Sequence, residues 1–277
     1  MVYRKKLTHI VLSRSKNELG EFRAQRFPLN AHFLNTIVKC GLTVIVIMKT
    51  LNKSSVLLAI ETATPVCSVA LRNSDGRIVE KRIEGKGVHS ERTFLFIKEL
   101  FDRSGITVSG LDAILFSNGP GSYTGLRIGA AAVKGLLFGR DVEFFTYPTL
   151  LSFAAAVLVK NEAGTIHSVI DARREHLYWQ SVVSGGGVIG DPQVIELSDL
   201  KEKIEAGDTI VGTGWERLEI DPQKKVTCIG SEGISAVNLI HAFDDKSWKR
   251  YFVKEDPKSF VPEYLTMSQI NNSVIEG

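Results

Sequence analysis

The sequence predicts an α/β protein with two lobes, and three observations lead there. From Ser55 onward, short apolar runs of strand length alternate with segments of helical period. A strand, an acidic residue, a turn and a second strand occur at Ile60-Glu61-Thr62-Ala63 and again at Ile170-Asp171-Ala172-Arg173. The chain has 277 residues, 44% of them hydrophobic and 23% charged, which is enough for two modest cores. This reading divides the chain into an extension (1–47), an N-terminal lobe (48–162) and a C-terminal lobe (163–277).

The extension carries eight basic side chains against Glu18 and Glu21, a surplus of six, so residues 48–277 carry −3 of the chain's net +3. It is expected to be a disordered tail or to lie upstream of the true start, with Met48 opening the domain; an Arg-rich, acid-poor transit segment is the alternative. Its apolar run, Leu42 to Met48, is too short for a bilayer, which needs about 20 apolar residues. It also lies too far along the chain for a secretory signal. The mildly acidic body has no bulk positive field for gripping nucleic acid alone. Cys40, Cys67 and Cys228 show no paired spacing, so a reducing compartment, the cytoplasm, is expected.

Val56–Ile60, Cys67–Leu71 and Arg77–Glu80, separated by turns rich in Thr, Pro, Asn, Asp and Gly, read as an antiparallel meander. A helix follows from about Ser90, a plausible N-cap. Its stripe of Phe94, Ile97, Leu100 and Phe101 ends at Gly105. Leu111–Phe116 is a buried strand. Asn118-Gly119-Pro120-Gly121-Ser122-Tyr123-Thr124-Gly125 blocks regular structure and opens the Ala-rich helix that runs to about Phe138. A strand (142–146) and an apolar helix (150–159) finish the first lobe. The second lobe reads as strand 166–170, the turn Asp171-Ala172-Arg173-Arg174-Glu175, strand 177–183, a loop at Gly185-Gly186-Gly187, helix 198–204, strand 209–211 and helix 233–242.

Strand, glycine loop, helix leaves backbone N–H groups free at a helix start, a layout that can hold phosphate. No Gly-Lys-Ser/Thr follows the loop, so it is not a Walker motif; the competing role is a tight turn that brings the helix close to the sheet. The candidate anion or nucleotide contacts are Glu61, Thr62, Gly119, Gly121, Ser122, Asp171 and Arg173. Along the glycine-led helix, Gly125 and Gly129 repeat every four residues, and so do Ala131, Gly135 and Gly139 one face over. Glycine costs about 1 kcal/mol against alanine in a helix, so these positions need a packing reason. Either they serve the lobe's own core, or they leave a groove for a foreign helix. The second option sets the candidate interface at Phe94, Ile97, Phe101, Gly125, Gly129, Ala132 and Gly135. The six histidines form no H-x-x-x-H, and Gly-Pro-Gly-Ser-Tyr-Thr-Gly is no nucleophile elbow. No catalytic or metal residue is therefore assigned.

Leu58-Ala59-Ile60-Glu61-Thr62-Ala63-Thr64 with Cys67-Ser68-Val69-Ala70-Leu71, His89-Ser90-Glu91-Arg92 and Gly119–Gly129 resembles the TsaB (YeaZ) family. Weaker agreement continues at Asp171-Ala172-Arg173-Arg174 and Pro262-Glu263-Tyr264-Leu265. The resemblance runs from about Met48 to the C-terminus. It implies the actin-like, sugar-kinase and Hsp70 (ASKHA) fold. It also implies a role in making N6-threonylcarbamoyladenosine (t6A) at position 37 of tRNAs that read codons beginning with A. In that family the chain is a dimerisation partner of the transferase TsaD, pairing through helices of the first lobe, with the ATPase TsaE supporting turnover. TsaD carries a His-x-x-x-His metal site soon after its own Gly-Pro-Gly loop; the corresponding stretch here, Tyr147–Ser152, has no histidine. The resemblance thus implies a non-catalytic subunit that binds no cofactor by itself, with ATP or ADP and metal on the partner subunits, and that self-pairs when alone. The competing functions are a stand-alone ATP-dependent phosphotransferase of the sugar-kinase type and a peptidase.

Overall fold

The structure, a computed structural model, describes residues 9–13, 43–47, 51–158, 164–183 and 187–265. The chain separates into units Met1–Asn52 and Lys53–Gly277. In the first unit, where no ordered element is expected from the sequence, β1 (His9–Ser13) and β2 (Thr43–Ile47) pair antiparallel, His9 opposite Ile47. β2 coincides with the β-branched run that the sequence analysis weighed as a membrane segment.

The second unit holds two sheets. β3 (Leu57–Glu61), β4 (Val66–Arg72) and β5 (Ile78–Glu84) form the expected meander. β6 (Ala113–Ser117) and β7 (Glu143–Tyr147) extend it in parallel beyond β3. β3, β4 and β6 are buried at every residue, as continuous apolar runs require when helices cover both faces. Alternate residues face opposite sides. Leu58, Ile60, Ile114, Phe116 and Phe144 join a core with α1 (His89–Ser104) and α2 (Tyr123–Leu137). The opposite face takes α5 (Val237–Asp244), and α3 (Thr149–Leu158) lies against α5 and packs on the second sheet.

That second sheet runs β10-β9-β8-β11-β12, from β8 (Thr165–Asp171), β9 (His176–Val183), β10 (Gly187–Glu196), β11 (Thr209–Gly212) and β12 (Thr227–Ile229). α4 (Leu197–Lys203) closes its outer face through Leu200, above Val169, Leu177 and Ile210. The layers therefore run helices, sheet, helices, sheet, helix. Three strands of this unit went unread in the sequence. β10 begins within the assumed glycine loop and carries Gly190 and Pro192, which mask a strand pattern. β12 and the two-residue β13 (Val253–Lys254) are too short to show a period. His89, not Ser90, opens α1; its ring is buried with Nε2 3.2 Å from the Val66 carbonyl, and the N-cap position is Val88.

The expected C-terminal lobe (163–277) is not contiguous in space. After β12 the chain returns to the first sheet: α5 lies on β3, β4 and β6, β13 pairs with β7 antiparallel, and Phe260 sets its ring edge-on to Phe116 and Phe144. Polar stitches hold this return. Glu80 Oε1 accepts from Ser68 Oγ and Ser235 Oγ, both at 2.6 Å, while Arg82 donates to the Ser231 and Ile234 carbonyls. α6 (Lys246–Lys249) follows α5 directly. Arg72, 1% exposed at the end of β4, reaches both Asp244 oxygens at 2.6 and 2.7 Å and the Ser55 carbonyl at 3.0 Å.

Arg72 is buried while Asp244 is partly exposed, so losing the charged hydrogen bonds of Asp244 costs about 1.5–3 kcal/mol. Asp244→Ala is therefore expected to lower the thermal midpoint by roughly 3–10 °C. Calorimetry showing a shift of only a degree or two would mean that this pair does not anchor the return.

Candidate functional site

Two regions bear on function: the carboxyl ends of β3, β6 and β8, where open α/β sheets bind ligands, and the outer surface of α1 and α2. In the first region the glycine loop is fastened to the β3–β4 turn. The Ser122 amide donates to the Ala63 carbonyl at 2.6 Å, and the Gly119 amide to Thr149 Oγ1 at 2.9 Å. Ser122 caps α2, its hydroxyl accepting from the Gly125 amide at 3.2 Å. A Cβ on Gly119 would collide with the Glu263 carbonyl, one on Gly121 with the Ala63 carbonyl, and one on Gly125 with the Thr62 carbonyl. Gly119 (φ +121°) and Gly121 (φ +159°) also adopt backbone that other residues rarely do. These approaches bring the loop and the start of α2 close against the β3–β4 turn, as a tight turn would.

The two acidic turns are committed as well. Glu61 is fully buried; its Oε1 accepts from the Ala63 amide at 2.7 Å, and among the described residues its Oε2 has no hydrogen-bond partner. Burial pushes the carboxyl up to about 7, although the nearby Ser117 hydroxyl and the Ala63 amide pull it the other way. Thr62 is buried, and its hydroxyl occupies the space beside Gly129. Asp171 is exposed, but Arg217 Nη2 and the Arg173 amide both hold its Oδ1 at 2.8 Å, and its own amide donates to Thr213 Oγ1. Arg173 and Arg174 lie on the turn with φ +71° and +51°. A metal-bound nucleotide needs ionised, accessible carboxylates and open backbone amides. A sealed carboxyl near neutrality and a carboxylate already paired with arginine do not fit that group. The candidate contacts Glu61, Thr62, Gly119, Gly121, Ser122, Asp171 and Arg173 thus divide between a turn junction, where Glu61, Thr62 and Gly119 are buried and Ser122 is exposed, and an exposed hairpin tip.

The second region corrects the interface reading. Gly125, Gly129, Ala132 and Ile97 face inward and are buried. A Cβ on Gly129 would lie 2.5 Å from the Phe116 ring and overlap the Thr62 hydroxyl. These notches let α2 settle on its own sheet and admit no foreign helix. The other small-residue series points outward: Ala131 and Gly135 are exposed, and a Cβ on Gly135 meets nothing within 4 Å. Phe138, at the end of the same helix, is 84% exposed; on the neighbouring α1, Phe94 is 50% exposed, Leu95 is exposed and Phe101 half-buried. Phe138, the α2 C-cap and the most exposed large hydrophobic residue, was not singled out in the sequence. Its position just past the helix end, before Gly139, was the available signal.

The family model described as TsaD, tRNA N6-adenosine threonylcarbamoyltransferase, matches residues 85–223. The tRNA threonylcarbamoyladenosine biosynthesis protein TsaB of Escherichia coli (strain K12) is 31% identical over 167 residues, 58% of this chain and 72% of that protein. The chain belongs to the TsaB (YeaZ) family. Its relative from Bacillus subtilis (strain 168), also TsaB by description, is 26% identical over 228 residues, which cover 80% of this chain and 98% of that protein. The solved structure of YeaZ from Pseudomonas aeruginosa superposes with a TM-score of 0.62 at 26% identity, over 76% of this chain and all of that one. The two-sheet architecture is the actin-like ASKHA fold. Among the described residues, no helix is long and apolar enough to cross a membrane.

Two predictions separate these surfaces. Gly129→Ala overpacks the core and is expected to destabilise by about 1–3 kcal/mol. Gly135→Ala fills open space on a helix and is expected to stabilise by about 0.5–1 kcal/mol. Urea midpoints of the two variants check both signs. Glu61, with its folded-state pKa above the unfolded value, contributes stability that is full below about pH 4.5 and is lost as pH rises through about 7. The loss amounts to roughly 3 kcal/mol. The difference in stability between wild type and Glu61→Gln should therefore slope between pH 4.5 and 7 and level off above; a flat difference would place the carboxyl in contact with water.

Proposed function

We propose that this chain acts in threonylcarbamoyladenosine biosynthesis on tRNA as a subunit without catalysis of its own, pairing with a TsaD-type transferase through the outer face of α1 and α2. The observation that carries the reading is the exposure of large apolar side chains on two packed helices, Phe94 and Leu95 on α1 and Phe138 at the end of α2, together with the exposed small residues Ala131 and Gly135 of α2. Large exposed aromatic side chains on adjacent helices mark a surface that is covered in use, and aromatic anchors beside a small-residue groove suit helix-on-helix docking. The committed turns of the cleft support a partner-dependent role. Nucleotide and metal then reside on the TsaD-type transferase and a TsaE-type ATPase, and a lone preparation self-pairs through the same face, because an isologous contact reuses one patch on both copies.

Phe94→Ser combined with Phe138→Ser should weaken pairing with the TsaD-type partner at least tenfold, because anchor residues carry most of the binding energy. The fold should survive, since both rings are exposed. Co-purification, titration calorimetry and a thermal midpoint on each sample make the test. Gly135→Leu, which meets none of the chain's own atoms at its Cβ, should likewise block pairing. Full pairing by these variants would put the interface elsewhere, and tight ATP binding with turnover by the lone chain would favour a kinase instead.

A further inference from the structure

The β8–β9 turn carries a feature that the pairing surface does not use. Arg173 and Arg174 are successive non-glycine residues in the left-handed region, φ +71° and +51°, the only such pair among the described residues. Asn-Gly or Asp-Gly would sit at such positions with far less strain. Bulky side chains persist there only when the surroundings hold them. Here Arg217 does so from beneath. Its Nη1 donates to the Arg174 carbonyl, and its Nη2 to Asp171 Oδ1 at 2.8 Å and to the His176 carbonyl at 3.2 Å.

Arg217 and Asp171 thus neutralise each other while fixing the backbone. Two further guanidinium groups, of Arg173 and Arg174, remain. Arg173 and Arg174 are exposed, and among the described residues neither side chain has a hydrogen-bond or ion-pair partner. Glu175, also exposed, is the other acid on this turn. The ground under the tip is filled: a Cβ on Gly214 would stand 3.1 Å from Asp171 Cβ and 2.9 Å from a Leu177 methyl. A single phosphate finds no recess there, and the Asp171 carboxylate beneath would repel it. Two guanidinium groups on a convex support suit a ligand whose anions are strung along an extended surface, since arginine binds phosphate oxygens in a fork. A polynucleotide backbone has that form.

We propose that the Arg173–Arg174 tip contacts the phosphate backbone of the substrate tRNA in the assembled complex. The inference rests on the t6A reading above. It gives the second lobe a task separate from the pairing face, and it makes a mildly acidic body touch RNA at one local basic point rather than over a broad field.

The test uses the full chain reconstituted with its TsaD-type partner, and measures tRNA binding by fluorescence anisotropy across a salt series. The variant replaces Arg173→Asn and Arg174→Gly, which removes both charges and relaxes the backbone. It should pair normally and keep or raise its thermal midpoint. It should bind tRNA about fivefold to tenfold more weakly, with a salt slope smaller by about 1.5, the share of two phosphate contacts. Arg173→Lys with Arg174→Lys should retain most of the slope. Unchanged tRNA affinity and slope in a variant that still pairs overturns the proposal and leaves the t6A reading standing. A loss of pairing instead of tRNA affinity also overturns it, and assigns the tip to an acidic protein surface. Failure of the wild-type chain to pair at all sinks both.

Discussion

The distance between α2 and the first sheet governs the rest of this molecule. Three positions on the loop and helix, Gly121, Gly125 and Gly129, approach Ala63, Thr62 and Phe116 so closely that none has room for a Cβ. The contact joins the start of α2 to the end of β3. It closes the junction over Glu61, which loses its water and is pushed toward neutrality. It also spends the loop amide of Ser122 on the Ala63 carbonyl. The same glycines that leave a helix start open for an anion in other settings are used here to seat α2 against the sheet.

The same approach decides what α2 offers to the outside. One row of small residues is consumed by the sheet, so the other row, Ala131 and Gly135, is left facing solvent on the helix that ends at the exposed Phe138. The helix is thus shaped on two sides at once, inward by steric necessity and outward by an apolar surface that soluble monomers rarely leave bare. The lobe beneath is braced against change by the stitches between β5 and the segment before α5, and by the buried Arg72 with Asp244. A docking face gains from such rigidity, because less order has to be acquired on binding.

Much of the layout was legible in the residues. The meander, α1, α2 and the repeated acidic turns show in period and punctuation, since strands of five to seven residues bounded by Thr-Pro and Asn-Ser-Asp-Gly turns leave little choice. The family followed from the order of those motifs. The facing of the small residues was not legible. Gly125 and Ala131 differ only by rotation about one helix, and that rotation is set by Phe116 on β6 and Thr62 on the β3–β4 turn, both distant in sequence. The C-terminal return was hidden for a related reason: Phe260 and Val253 act through partners more than 100 residues earlier, and no local pattern records them.

That return has a bearing on how the protein comes to be made. The first lobe starts at β3, yet its outermost strand pairing and the Phe260 ring over Phe116 and Phe144 come from beyond residue 252. The Glu263 amide, which donates to the Asn118 carbonyl, arrives later still. During synthesis on the ribosome, the early lobe must therefore wait with an open sheet edge and uncovered aromatic rings while the whole second sheet emerges. An unpaired edge and exposed aromatics are the features that chaperones shield and that nascent chains aggregate through. The lobe that appears first is in this sense the last to be finished.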